Sequence, residues 1–253
     1  MSLAIRQTLA LTVRQLRALW RQPWFVAITV VQPLIWLLLF GSLFKSVVEL
    51  PGFQGSSYIE FLTPGVMVMS ALFSGGWHGM GFIAAMERGI LDRFLVSPVW
   101  RGALIASGLV QSAVVIAVQS LVIVGVAFAD GARFSAASVV AQVGLSMLLG
   151  ASVAGLSDGL ALVTRQEETL IGAVQFVVLP ATFLSSGMMA ANLLPGWIRD
   201  IARFNPVNWA VTGARAGSGD WGLVAGHAGL LVALLLGCAF VATRALRVYQ
   251  RSV

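Results

Sequence analysis

The side chains able to do chemistry in this 253-residue chain are few and scattered: two histidines, one cysteine, one lysine and ten carboxylates. His78 and His227 lie in different hydrophobic runs, and neither belongs to an HExxH pattern, so a metal pair would have to be assembled across two helices. Cys238 has no second cysteine to join, which excludes an internal disulfide and a cysteine zinc cluster. A phosphate-binding nucleotide loop needs Gly-Lys-Ser/Thr, with backbone amides around the phosphates and the lysine reaching them. Lys45 instead follows Phe44 at the edge of a hydrophobic run, so the chain cannot bind ATP in that way. Asp158 is the sole acid that adjoins a hydrophobic core, and no carboxylate, lysine or arginine is expected inside one. A proton-coupled carrier normally holds an ionisable group well within a membrane helix, so this pattern argues against proton or ion coupling. Work done by this chain must draw its energy from another subunit.

The elements that position these residues follow from composition. Hydrophobic residues make up 58% of the chain and charged ones only 10%, against roughly 25% charged in an average soluble domain. Charge-free runs cover 22–44, 61–86, 102–129, 134–157, 169–198 and 221–243. Each exceeds the roughly 20 residues a helix needs to cross the hydrocarbon core. Period-two alternation is absent from them, which disfavours a β-barrel. The expected fold is an all-α membrane protein with six transmembrane helices, forming a single domain over residues 1–253. With a cytoplasmic N-terminus, eleven basic residues fall on the inner side and five on the outer, as the positive-inside rule requires. The basic residues are dispersed at membrane boundaries and form no compact face for nucleic acid.

Residues 3–21 read as an amphipathic helix lying along the membrane. Arg6, Arg14, Arg17 and Arg21 share one side, and Ile5, Leu9, Leu16, Leu19 and Trp20 the other. A basic topogenic flank that is incidentally helical is the plainer alternative. The glycines and serines of the second run, from Gly65 to Gly81, suit close helix packing. The inner loop at 84–98 sets Met86, Ile90, Leu91, Phe94 and Leu95 at helical spacing among charges, and Pro98 ends the pattern. A helix of this kind fits a groove on a partner, or it rests on the membrane surface. For docking, Glu87 is the best polar contact, with Leu91 and Phe94 as apolar anchors.

Between 169 and 220 the apolar sequence is interrupted by Pro180, Gly187, Pro195, Gly196 and Pro206. It is too broken for an extra crossing and too apolar for an ordinary loop. Two short helices dipping into the outer leaflet reconcile these facts, with Asn192, Asn205 and Asn208 supplying polar groups at the breaks.

Together these features resemble the membrane subunits of the second class of ABC exporters, most closely the small permeases associated with daunorubicin-type drug resistance. The likeness rests on the amphipathic start, the six runs, the inner sequence from Glu87 to Pro98, and an outer series. That series is Leu184-Ser-Ser-Gly, Leu194-Pro-Gly-Trp, Asn205-Pro-Val-Asn-Trp and then Arg215. The resemblance implies a connecting helix at 3–21 and a coupling helix at 84–98, where Glu87 and Gly89 match the family's acidic and glycine positions. Ser97-Pro98 replaces the more usual threonine-proline. It implies re-entrant helices within 188–214, a region that includes Asn192, Pro195, Asn205, Pro206 and Asn208, with Arg215 directly after it. It also implies two copies of a cytoplasmic ABC ATPase, which would hold ATP and Mg2+, while this chain holds no cofactor. A second permease chain, identical or paralogous, would complete a transporter in the bacterial inner membrane, with both termini cytoplasmic.

The expected function is export of an amphipathic drug, lipid or lipid-like product. Export of a polysaccharide or glycolipid, and a scaffold role without transport, are the competing readings.

Overall fold

The computed structural model describes residues 3–20, 23–46, 57–95, 100–217 and 219–251, and among them there are helices and connections but no strand. Helix α1 (Leu3–Trp20) packs on α6 (Arg101–Ala129). Thr12 is buried at that contact and donates to the Ser107 carbonyl at 3.4 Å. Ile5, Leu9 and Val13, spaced four apart, form an exposed apolar stripe. Of the apolar side expected for 3–21, Ile5 and Leu9 are exposed while Leu16 and Leu19 are half-buried, and the helix is also held to the protein through α6.

Helix α2 (Pro23–Leu43) carries a stack of aromatic rings, Trp36 on Phe40 and Phe40 on Phe44, with centroids 4.9 and 5.5 Å apart. It packs on α3 (Tyr58–Gly76). A 3-10 turn at Trp77–Gly79 joins α3 to α4 (Met80–Glu87), and a corner leads to α5 (Ile90–Leu95). After α6 come α7 (Ala136–Thr164), α8 (Glu167–Phe183), α9 (Gly196–Ala202), α10 (Pro206–Ala216) and α11 (Trp221–Gln250). Local signals set several boundaries. Ser135 caps α7 by accepting from the Ser138 amide, and Asp220 caps α11 by accepting from the Leu223 amide at 3.0 Å.

Helix α7 is the hub, in contact with α3, α6, α10 and α11. Small residues make this possible: a side chain at Gly75 would collide with the Gly150 carbonyl of α7. In a membrane such close backbone approach drives helix association, because burial from lipid contributes little. One apolar core lies around α7, with Leu72, Ile105, Leu149, Leu162, Leu231 and Leu246 among its members. A second, of Leu37, Leu62, Met67 and Ile123 among others, joins α2, α3 and α6.

Among the described residues, four helices are long and apolar enough to cross a membrane: Tyr58–Glu87, Gly102–Ala129, Ala136–Thr164 and Trp221–Gln250. The other two expected crossings are shorter. One is α2, helical over the 21 residues Pro23–Leu43, of which Ala27–Leu43 is a shorter apolar stretch. Helix α8 has 17 residues and ends at Phe183, a length of about 26 Å at 1.5 Å per residue. The chain leaves the helix at Leu184 and bends through Ser185, Ser186 and Gly187, with Pro180 inside the last turn.

Candidate functional site

Three polar features interrupt the apolar helices. The first follows the end of α8. Asn205 donates through Nδ2 to the carbonyls of Ala181 at 2.6 Å and Leu184 at 2.9 Å, which the helix end leaves without helical partners. Its Oδ1 accepts from the Val207 amide at 3.0 Å and so caps α10, whose first residue, Pro206, has no N–H to satisfy. Asn208 Oδ1 accepts from the amide and the hydroxyl of Ser186, at 3.1 and 2.7 Å. Arg215 donates to the carbonyls of Ser186, Gly187 and Phe61 at 2.7, 3.0 and 3.2 Å, and its guanidinium lies 3.7 Å over the Phe61 ring. The Tyr58 hydroxyl donates to the Met188 carbonyl at 3.3 Å. Close approach fixes the turn on α3: a side chain at Gly65 would strike the Gly187 carbonyl. Asn205, Pro206, Asn208 and Arg215 therefore meet in one cap, whereas Asn192 and Pro195 are exposed around the Ala191–Leu193 3-10 turn.

The second feature is the corner between α4 and α5. The expected continuous helix over 84–98 is two pieces, because Gly89 adopts φ +61, a left-handed conformation that glycine takes without steric cost. Its amide donates to the Met86 carbonyl at 2.9 Å and closes the helix end. Glu87 and Arg88 are exposed on the corner. Leu91 points the other way. It is 2% exposed and belongs to the core around α7, so it holds α5 to this protein and offers no anchor to a partner. Phe94 is half-buried beneath the Arg14 guanidinium of α1, 4.5 Å from the ring centroid. Pro98 lies outside the described residues.

The third feature corrects the expectation that the apolar cores hold no carboxylate. Asp158 is fully buried in α7, and its Oδ1 lies 2.7 Å from His78 Nδ1 in the 3-10 turn. Gln111 Oε1 of α6 is 3.4 Å from the other ring nitrogen. Ser157, the neighbour of Asp158, accepts from the Gly79 amide at 3.0 Å and donates to the Gly76 carbonyl. These two backbone groups flank the turn, so one hydroxyl satisfies both sides of the break. Burying a carboxylate costs several kcal/mol unless a partner offsets it, which is the role of His78. The pair escapes sequence reasoning because its members are 80 residues apart and no proline marks the turn. The available signal was a histidine set among glycines in one run and an acid at the edge of another.

A surface groove of about 500 Å³ between α6, α7 and α11 is lined by hydrocarbon, including Leu109, Val110, Val140, Leu148, Trp221 and Val224. Among the described residues, no group of three or more His, Cys, Asp or Glu gathers as a metal site would.

Comparison with known proteins is decisive for the family. Residues 6–218 match the family described as ABC-2 type transporter. The chain belongs to that family. Its relatives include the daunorubicin resistance ABC transporter permease protein DrrB1 of Streptomyces coeruleorubidus, 29% identical over 205 residues, which are 77% of this chain and 71% of the relative. A putative transport permease, ycf38, of Porphyra purpurea is 27% identical over 83% of this chain and 73% of its own length. The probable doxorubicin resistance ABC transporter permease protein DrrC of Mycobacterium tuberculosis is 25% identical over 84% of this chain and 77% of its own length. This ABC-2 chain is thus a multi-pass membrane protein of the permease type, and its family implies an ABC ATPase as partner.

Proposed function

We propose that this chain is the permease of an ATP-driven exporter for an amphipathic, lipid-like substrate. The observation that carries the reading is the family match over residues 6–218, in a chain whose sole lysine stands outside any Walker motif. In this reading α2 and α8 complete six crossings with the four longer helices. The bias of eleven basic residues to five places both termini in the cytoplasm. Two copies of the partner ATPase hold ATP and Mg2+, and a second permease chain completes the path. The segment holding α9 and α10 dips into the outer leaflet without crossing it. Its broken backbone is satisfied by Asn205, Asn208 and Arg215 instead of water, the condition for irregular chain at membrane depth. The whole of residues 1–253 then serves as one membrane domain.

The corner at Glu87, Arg88 and Gly89 is the surface offered to the ATPase, with Phe94 at its flank. The hydrocarbon lining of the groove between α6, α7 and α11 favours an acyl- or drug-like cargo over a glycan. Affinity purification from membranes tests the reading. A soluble ABC ATPase should copurify, and its ATP hydrolysis should respond to daunorubicin in lipid vesicles. Topology is tested by single cysteines in a Cys238→Ala background. One at Asp200 should react with an impermeant thiol reagent in intact cells, and one at Arg88 or Arg247 only after permeabilisation.

A further inference from the structure

We propose that His78, Asp158 and Ser157 form a latch that transmits movement of the α4–α5 corner to α7, a role that rests on the export reading above. The crossing Tyr58–Glu87 is the most enclosed of the four, yet its helix is interrupted by a 3-10 turn at Trp77–Gly79. The break separates α3, tied at its outer end to the cap, from α4, which ends at the exposed Glu87. Polar groups at the break are served by two consecutive residues of α7. Ser157 bridges the Gly76 carbonyl and the Gly79 amide, and Asp158 holds His78 at 2.7 Å. Gln111 of α6 faces the far side of the imidazole at 3.4 Å. Three elements therefore converge on one turn, and α4 cannot tilt without stretching contacts to α7.

The chemistry suits a latch better than a filler. Close packing of small residues already joins α3 to α7 where Gly75 meets Gly150, so helix association alone does not call for these residues. The hydrogen bond between Asp158 and His78 differs in being short-range and directional, and it divides a movement into made and broken states. Asp158 retains a buried Oδ2 with no hydrogen-bond partner, facing Gly108, where a side chain would press on both Asp158 Oδ2 and His78. That oxygen offers a second position for the contact if α4 shifts relative to α7. Leu91, Phe82 and Ile83 share the core with Leu162 of α7, so the corner, the turn and the inner half of α7 are mechanically continuous.

Two measurements test the latch. In the first, spin labels on cysteines at Arg88 and Val163, in a Cys238→Ala background, report the distance from the corner to the end of α7 without any ATPase. The latch predicts a single narrow distribution in the parent and a second population in Asp158→Asn. Identical distributions would overturn it. In the second, transport per ATP is measured on equally inserted protein with its ATPase. Asp158→Asn and the apolar pair His78→Leu/Asp158→Leu should both keep the ATPase bound but lose transport per ATP by about ten-fold, a usual size for coupling between sites. The exchange His78→Asp/Asp158→His should recover part of the loss. An apolar pair that transports like the parent would reduce the residues to packing and overturn the latch. A parent protein that binds no ATPase, together with a second distance population in Asp158→Asn, would count against the export reading and leave the latch standing.

Discussion

Two interruptions of helix can be set side by side in this molecule, one after Phe183 at the end of α8 and one at Trp77–Gly79 within Tyr58–Glu87. Both leave backbone groups without helical partners, and both are repaired by side chains from another helix. The outer repair spreads over Asn205, Asn208 and Arg215, with seven hydrogen bonds among Ala181, Leu184, Ser186, Gly187 and Phe61. The inner repair concentrates on two neighbours, Ser157 and Asp158. A distributed repair fixes a shape, because losing one bond leaves the others in register. A concentrated repair through one hydrogen-bonded pair can switch. The outer end thus behaves as a rigid cap, while the inner break is the place where movement is passed on.

Predictions that sharpen this contrast run from the cap inward. Arg215→Ala removes the donor for three carbonyls and should destabilise the protein by about 3 kcal/mol or more, since hydrogen bonds to charged groups contribute about 1.5–3 kcal/mol each. Thermal unfolding of the purified protein in detergent measures this. Arg215→Lys should recover only part, because an ammonium lacks the planar fork that reaches several carbonyls at once. Asn205→Leu should cost about 2 kcal/mol in the same assay, from two carbonyls stripped of a donor and the lost cap of α10. Combined with Asn208→Leu it should leave insertion intact and lower transport.

At the inner corner the effects on stability should be smaller and those on coupling larger. Gly89→Ala forces a Cβ into the left-handed region and should cost about 1–2 kcal/mol. Glu87→Ala touches an exposed side chain and should change stability by less than about 0.5 kcal/mol. It should still weaken ATPase copurification or uncouple hydrolysis from transport. Unchanged association and coupling in Glu87→Ala would remove this side chain from the docking surface. A cap variant that uncouples transport without lowering the melting temperature would erase the contrast between the two ends.

The cap was legible in the sequence because its signals are local. Pro180 in the last turn of one helix, Gly187 in the bend after it and Pro206 at the start of the next mark an interrupted stretch, and asparagines beside such marks have backbone groups to satisfy. The carbonyls that Arg215 would bind were not legible, since Phe61 and Arg215 are 154 residues apart. At the inner corner the periodicity gave the right apolar positions but the wrong direction. Leu91 and Phe94 share helical spacing with a docking face, and only packing reveals that Leu91 turns into the core. Gly89 in the middle of the pattern was the available warning of a corner. The His78–Asp158 pair had no local mark. Nothing in the composition of either run tells that they are neighbours, and an acid near a helix end reads as a solvated flank until α7 is placed at the centre.

Reconstitution with its partner tests the central claim most directly. The chain and the soluble ABC ATPase that copurifies with it are placed in lipid vesicles with the ATPase outward, and accumulation of a fluorescent amphipathic compound is followed on adding ATP and Mg2+. The account predicts uptake that needs both proteins and hydrolysable ATP, with no hydrolysis by the permease alone. ATP hydrolysis by the isolated chain, or equal uptake in vesicles lacking the ATPase, would contradict it.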